Sequence, residues 1–240
     1  MANILNTRAA AQAKNFSIVL EKAGHNSIQC PAMEIIPQNP AQLKLITASR
    51  FDTVIFVSQN AATLATPYIN DKWASFNIFA TGPSTAATLP IFLQAKHPFT
   101  AFSTAGLLEM PEMQQIKNKK IAIICGANSK QDLSQSLSDR GAAVTLLPIY
   151  ERILCTSSIT KIQQIPNIDI ITSFSLASLR LLNEIITKSN TNYLKSKPLV
   201  VVTKKMVTLA LALGFSGKAY LTKDATVAAM LDATRKLDNS

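Results

Sequence analysis

With 240 residues, 48% of them hydrophobic and 16% charged, the chain is too apolar and too weakly charged for a disordered or coiled-coil protein. Seven glycines exclude a collagen-like or glycine-rich repeat. Twenty-four Lys and Arg against 14 Asp and Glu leave a formal charge of +10, which points to a polyanionic partner or simply to a basic proteome.

At roughly 150 residues per domain, this length makes one large domain or two small ones. No run approaches the ~18 apolar residues of a membrane helix. The nearest, 207–215, is interrupted by Thr208. The first residues lack the apolar core of a secretory signal, so a cytoplasmic protein without membrane attachment is expected. Cys30, Cys125 and Cys155 are odd in number and far apart, which favours reduced, buried thiols over disulfides or a metal site.

The first expected strand is 3–7. A helix follows, with Phe16, Val19, Leu20 and Ala23 on one face and Gly24 as its stop. Pro31 and Pro37-x-x-Pro40 then break the pattern and mark an extended crossing. Strands are expected at 53–57, 77–81 and 121–125, then a helix with Leu133 and Leu137 ending at Arg140-Gly141, then a strand at 144–148. Beyond a second crossing come a strand at 168–172, a helix with Leu179, Leu182, Ile185 and Ile186, and strands at 199–203 and 219–222. Continuous apolar runs such as Val54-Ile55-Phe56-Val57 and Ile121-Ala122-Ile123-Ile124 suit strands covered on both faces, hence a parallel α/β sheet.

The chain also echoes itself. Asp52-x5-Ser58-x5-Leu64 returns as Asp169-x5-Ser175-x5-Leu181. Thr81-Gly82-Pro83-Ser84 is answered by Thr203-Lys204-Lys205-Met206, and Ser103-Thr104-Ala105-Gly106 by Ala225-Thr226-Val227-Ala228. Ordered echoes of this kind predict two related, doubly wound parallel-sheet α/β domains. Residues 1–34 are too few for a domain, so they join 152–240 in a split domain, with 38–149 inserted. Two connecting strands, 35–37 and 146–152, form a two-stranded ladder, and the cleft between domains is the expected ligand site.

Familiar catalytic motifs are absent: no G-x-G-x-x-G, phosphate-binding loop, H-E-x-x-H or G-x-S-x-G. His25 and His97 are expected to be solvated. Lys117, Lys119 and Lys120 precede a strand and read as a solvated turn. What recurs is Ser and Thr where strands give way to helices: Thr7, Ser58, Ser84, Thr85, Ser103, Thr104, Ser173, Ser175, Thr203 and Thr226. Open parallel sheets bind ligands at these carboxyl ends, where free N–H groups and hydroxyls suit carboxylates or phosphates. The same residues also make ordinary helix caps. Arg8 follows the first strand, where its guanidinium can grip a carboxylate by two hydrogen bonds. Lys204 and Lys205 add charge in the second half. Tyr150, in the second crossing, is either a proton donor or a packing residue.

In this order the pieces resemble the uroporphyrinogen-III synthase family across essentially the whole chain. The resemblance is carried by Ile4-Leu5-Asn6-Thr7-Arg8, Asp52-Thr53-Val54-Ile55-Phe56-Val57-Ser58, Thr81-Gly82-Pro83-Ser84-Thr85-Ala86 and Ser103-Thr104-Ala105-Gly106-Leu107-Leu108. Arg140-Gly141 followed by Pro148-Ile149-Tyr150-Glu151-Arg152 is its most diagnostic part. It implies two α/β domains on a two-stranded ladder, no cofactor and no metal. The implied substrate is hydroxymethylbilane, a linear tetrapyrrole with eight carboxylates. The implied reaction, in tetrapyrrole (haem) biosynthesis, is dehydration and cyclisation through a spiro intermediate that inverts ring D. By resemblance Tyr150 assists hydroxyl departure, and Thr85, Ser58 and Arg8 face substrate. Ser175, or Ser173 two residues earlier, is the second-half serine.

Two departures stand out. The strand at 121–125 ends in Cys125-Gly126 where the family often has Arg-Gly, and Thr203-Lys204-Lys205-Met206 lacks the hydroxyl that many relatives carry at the fourth place. A monomer is expected. The competing reading is a non-enzymatic two-lobed binding protein for a polyanionic small molecule. Nucleic acid is excluded as a partner because the basic residues are scattered, with one Trp and four Tyr among them.

Overall fold

The computed structural model describes residues 1–46, 51–129, 131–224 and 226–238. Ala225, which opens the third echo, and the last two residues of the expected split domain lie outside them. The chain divides into two compact units, Met1–Glu34 with Ile153–Ser240 and Ile35–Arg152.

The first unit opens with β1 (Asn3–Asn6), α1 (Ala10–Lys22) and β2 (Asn26–Gln29), and β3 (Met33–Pro37) leads into the second. There follow β4 (Thr53–Phe56), α2 (Gln59–Ala65), β5 (Asn77–Ala80), α3 (Pro83–Ala86) and α4 (Thr104–Glu109). Then come β6 (Lys120–Gly126), α5 (Asp132–Asp139) and β7 (Ala143–Leu154). The return supplies α6 (Ser157–Gln163), β8 (Ile170–Ser173), α7 (Leu176–Lys188) and β9 (Leu199–Val201), then α8 (Lys204–Ala212), β10 (Ala219–Leu221) and α9 (Val227–Asp238).

One sheet runs β10-β9-β8-β1-β2 and the other β3-β7-β6-β4-β5. The pairs β1–β2, β1–β8, β8–β9, β9–β10, β4–β5, β4–β6 and β6–β7 are all parallel. Burial on both faces explains the unbroken apolar runs. In the first unit Leu5, Ile171, Leu199 and Val201 pack against Leu179, Leu182 and Ile186 of α7. Their neighbours Ile4, Ile170 and Val200 point the other way, onto Phe16 and Leu20 of α1 and Met230 of α9. In the second unit Val54, Phe56, Ala122 and Ile124 meet the alanines of α2, while Ile55, Phe79, Ile121 and Ile123 meet Leu107, Leu133 and Leu137. Each such Leu or Ile contributes about 1.5–3 kcal/mol by leaving water.

The echoes have a structural cause. Asp52 Oδ2 accepts the Lys120 N–H at 2.8 Å, and Asp169 Oδ2 accepts the Asn3 N–H at the same 2.8 Å. Each aspartate pins the start of its strand to the start of the neighbouring one. The order β7-β6-β4-β5 in one sheet therefore mirrors β2-β1-β8-β9 in the other. Gly24, at φ 84°, ends α1 in the left-handed conformation expected of a helix stop, and the His25 N–H returns to the Leu20 carbonyl at 3.1 Å.

Several expectations need correction. The strand expected at 144–148 and the crossing at 146–152 are one 12-residue strand, β7, that runs through Pro148 to Leu154. The crossing expected at 35–37 starts earlier, at Met33, and β2 was not expected at all. His25 is buried rather than solvated, because the turn after Gly24 folds it back toward the body of the unit. The three cysteines are free and buried, and burial pushes the Cys30 and Cys125 thiols up.

Candidate functional site

The carboxyl ends of the parallel strands carry most of the predicted residues; Ser103 and Thr104 instead open α4 with no strand before them, and Tyr150 lies within β7. Ser58 Oγ, at the end of β4, accepts the Ala61 N–H at 3.1 Å and caps α2. Ser103 caps α4 through the Gly106 N–H at 3.2 Å, Ser175 caps α7 through the Ser178 N–H at 3.1 Å, and Thr203 caps α8 through the Met206 N–H at 3.3 Å. The capping alternative therefore holds for all four hydroxyls, each worth about 1 kcal/mol to its helix.

The remaining predicted positions differ in access. Ser84, Thr104 and Lys204 are exposed residues within the first turn of α3, α4 and α8. Thr85 is buried at 6% exposure, and Ser173 is fully buried, its Oγ within 3.4 Å of the Ser178 hydroxyl. Of the second-half serines, only the half-buried Ser175 reaches the surface. Arg8 lies with its guanidinium 4.1 Å from the centre of the Phe174 ring, which in turn meets Phe16 edge-on at 5.1 Å. Burial pulls the Arg8 guanidinium below the usual arginine value. This stack fixes the direction of the side chain just after β1.

Tyr150 packs into the core of the second unit. Its side chain is fully buried, packed with Val54, Phe56 and Ile124. The cause is a register shift: Cys125 pairs with Pro148 but Gly126 pairs with Tyr150, so the bulge skips Ile149. Consecutive Ile149 and Tyr150 then enter the same core cluster, breaking the two-residue alternation. The ring lies against Gly126, where a Cβ would sit 2.9 Å from Tyr150 Cζ. The Tyr150 carbonyl accepts the Ala127 N–H at 2.7 Å, locking the strand edge to this turn.

The phenol is held at two points. Arg152 Nη2 donates to Tyr150 Oη at 2.6 Å, and Ser58 Oγ lies 2.9 Å from it. The half-buried Arg152 also covers the ring, with Cζ 5.1 Å from its centre. Arg152 and Gly126 were read from the sequence only as parts of the family pattern, with no site role given to either. For Arg152 the signal was present, since residues two apart on a strand share a face. Cys125, the family departure, faces the opposite core with Ile121 and Ile123. A separate cavity of about 670 Å³ in this unit is lined by Lys96, His97, Phe99, Glu109 and Met110, and none of the predicted residues borders it.

Gly126→Ala is expected to force the tyrosine ring out of place, costing about 1–3 kcal/mol, in the range of overpacked cores. Thermal unfolding would then show a lower melting temperature. An unchanged melt would mean the ring has room to yield.

The family model described as uroporphyrinogen-III synthase HemD matches residues 14–232. A uroporphyrinogen-III synthase from Escherichia coli (strain K12) is 28% identical over 159 residues, covering 62% of this chain and 65% of the relative. One from Proteus mirabilis is 26% identical over 160 residues, covering 63% and 80%. The chain therefore spans just under two thirds of the Escherichia coli relative. Among solved structures, a mutant uroporphyrinogen III synthase from the extremely thermophilic bacterium Thermus thermophilus has TM-score 0.65 at 15% identity, with 100% of this chain and 99% of that one covered. The synthetase from Helicobacter pylori 26695 has TM-score 0.63 at 15% identity, with 99% and 100% covered. These likenesses establish the two-unit fold. Matched from within its first helix to within its last, the chain belongs to the uroporphyrinogen-III synthase family.

Proposed function

We propose that the protein converts hydroxymethylbilane to uroporphyrinogen III, without a cofactor, in tetrapyrrole biosynthesis. The family match across residues 14–232 carries this reading. The chemistry asks for two things. The hydroxyl on ring A's carbon must leave as water, which needs a proton. Ring D must then attack through its substituted position, so that the spiro intermediate reopens and recloses with the ring inverted.

The first demand is modest and the second is strict, because the bilane closes unaided to the uninverted isomer. Geometry is then the enzyme's main contribution, and many weak donors fixed in place serve it better than one potent acid. Capped helix starts at the strand ends supply such donors. Ser58, Ser84, Ser103, Thr104, Ser175, Thr203 and Lys204 are the proposed substrate-side set, with the exposed members and their neighbouring N–H groups meeting carboxylates, while the buried Thr85 and Ser173 support that surface from behind. Arg8, held by Phe174, offers a fork for one carboxylate. Tyr150 is the proposed source of the proton. The reading takes the chain as a cytoplasmic monomer, in keeping with three free thiols.

Arg8→Ala is expected to raise KM for the bilane by more than threefold while shifting the melting temperature little. Parallel losses of melting temperature and activity would assign Arg8 a packing role instead. The function itself is tested by supplying enzymatically generated hydroxymethylbilane and separating the oxidised porphyrins. Type III product supports it. Type I alone, as without protein, would leave the binding-protein reading.

A further inference from the structure

We propose that Ser58 is the group that meets the departing hydroxyl, and that Tyr150 and Arg152 stand behind it as the supply line for its proton. This rests on the functional reading above and assigns its acid step to different atoms.

Hydrogen accounting carries the inference. Arginine has donors only, so at the 2.6 Å contact Arg152 donates and the Tyr150 oxygen accepts. The phenol's own proton needs an acceptor, and among the described residues the partner in reach is Ser58 Oγ at 2.9 Å. Were Ser58 to donate instead, the Tyr150 proton would be left unpaired in a fully buried position, a costly arrangement. Tyr150 therefore donates to Ser58.

Ser58 Oγ then accepts twice, from Tyr150 and from the Ala61 N–H at 3.1 Å, which fills both of its lone-pair sites. Its own proton is the one with no acceptor among the described residues. Ser58 is half-buried at the carboxyl end of β4, whereas Tyr150 has no exposed surface. The chain runs in one direction, from guanidinium to phenol to serine to ligand, and the charged end strengthens the donors beyond it.

In the step itself the carbon–oxygen bond of the hydroxymethyl group breaks, and both electrons leave with oxygen. The pyrrole nitrogen's lone pair fills the carbon left behind. The oxygen takes the Ser58 proton and departs as water, Ser58 takes the Tyr150 proton, and the phenolate is held against Arg152. Ring D later sheds one proton from its free α carbon on closing, and that proton returns through Ser58 to Tyr150. Ser58 is thus the catalytic residue, and Arg152 is a positioning residue.

The test is a mutant cycle on the full chain with hydroxymethylbilane, reading kcat, KM and isomer. Ser58→Gly is the chosen variant, since glycine keeps most of the capping value of serine while removing the hydroxyl. Ser58→Gly and Tyr150→Phe are each expected to lower kcat by about ten- to a thousandfold with KM changed less than about threefold. Combined, they are expected to be no more than about threefold slower than the worse single variant, because a relay broken once is not broken again. Ser58→Thr, which keeps hydroxyl and cap, should restore at least about a tenth of the activity, and Arg152→Lys should outperform Arg152→Gln in kcat. Near-normal kcat in Ser58→Gly, or multiplicative losses in the double variant, would overturn the relay while type III product from the unaltered chain kept the functional reading intact. Type I product alone from the unaltered chain would overturn both.

Discussion

Tyr150→Phe is expected to slow turnover of hydroxymethylbilane by about ten- to a thousandfold, the effect of losing a modest acid. The ring stays and only the oxygen goes, so the packing against Gly126 and within the core survives. Arg152 and Ser58 each lose a partner at 2.6 and 2.9 Å. That should cost about 1 kcal/mol, seen as a melting temperature lower by about 2–4 °C. Steady-state kinetics beside thermal unfolding separate the two effects. Full turnover with a lowered melt would reduce Tyr150 to a structural residue.

A larger effect on stability is expected at Trp73. It is fully buried in the second unit, 6.3 Å from the Phe56 ring and 6.1 Å from Phe76. Trp73→Ala should cost about 3–5 kcal/mol, as for other large-to-small core changes. Its indole N–H is buried without a hydrogen-bond partner among the described residues, so the nitrogen adds nothing to the fold. Trp73→Phe should therefore cost much less than Trp73→Ala, since it also removes an unsatisfied donor. Denaturant unfolding followed by circular dichroism compares the two. Equal losses would show that the indole's shape, rather than its buried apolar area, holds the cluster.

The strands themselves, though not their order in the sheets, were legible where they are buried on both faces. Val54-Ile55-Phe56 and Leu199-Val200-Val201 announce themselves because each face meets helices. β2 was not legible, since Asn26-Ser27-Ile28-Gln29 lies at a sheet edge and keeps no buried apolar residue. β7 was read as two overlapping pieces, a strand at 144–148 and a connecting strand at 146–152, rather than as one. The register shift at Cys125 and Gly126 lets the strand continue to Leu154.

For the candidate site, the positions were easier to read than their roles. Ser58, Ser175 and Thr203 fall at the strand-to-helix junctions where the sequence put them, whereas Ser103 opens α4 after a loop with no strand before it; each spends its oxygen on a helix start. Thr85 and Ser173 lie behind that surface: Thr85 is on the buried side of the short helix α3, and Ser173 ends β8, a strand buried along its whole length. The burial of Tyr150 depends on a one-residue bulge, and a bulge leaves no mark in hydrophobic pattern. Gly126 makes sense only once the ring that lies on it is known.

If donor geometry rather than acid strength decides the ring order, then the isomer and the rate must come apart. The most direct measurement is the porphyrin isomer formed by Tyr150→Phe in excess over hydroxymethylbilane, where substrate is held by protein rather than closing in solution. The account predicts slow formation of type III product. A shift to type I in proportion to the lost rate, with the bilane still bound, would contradict it.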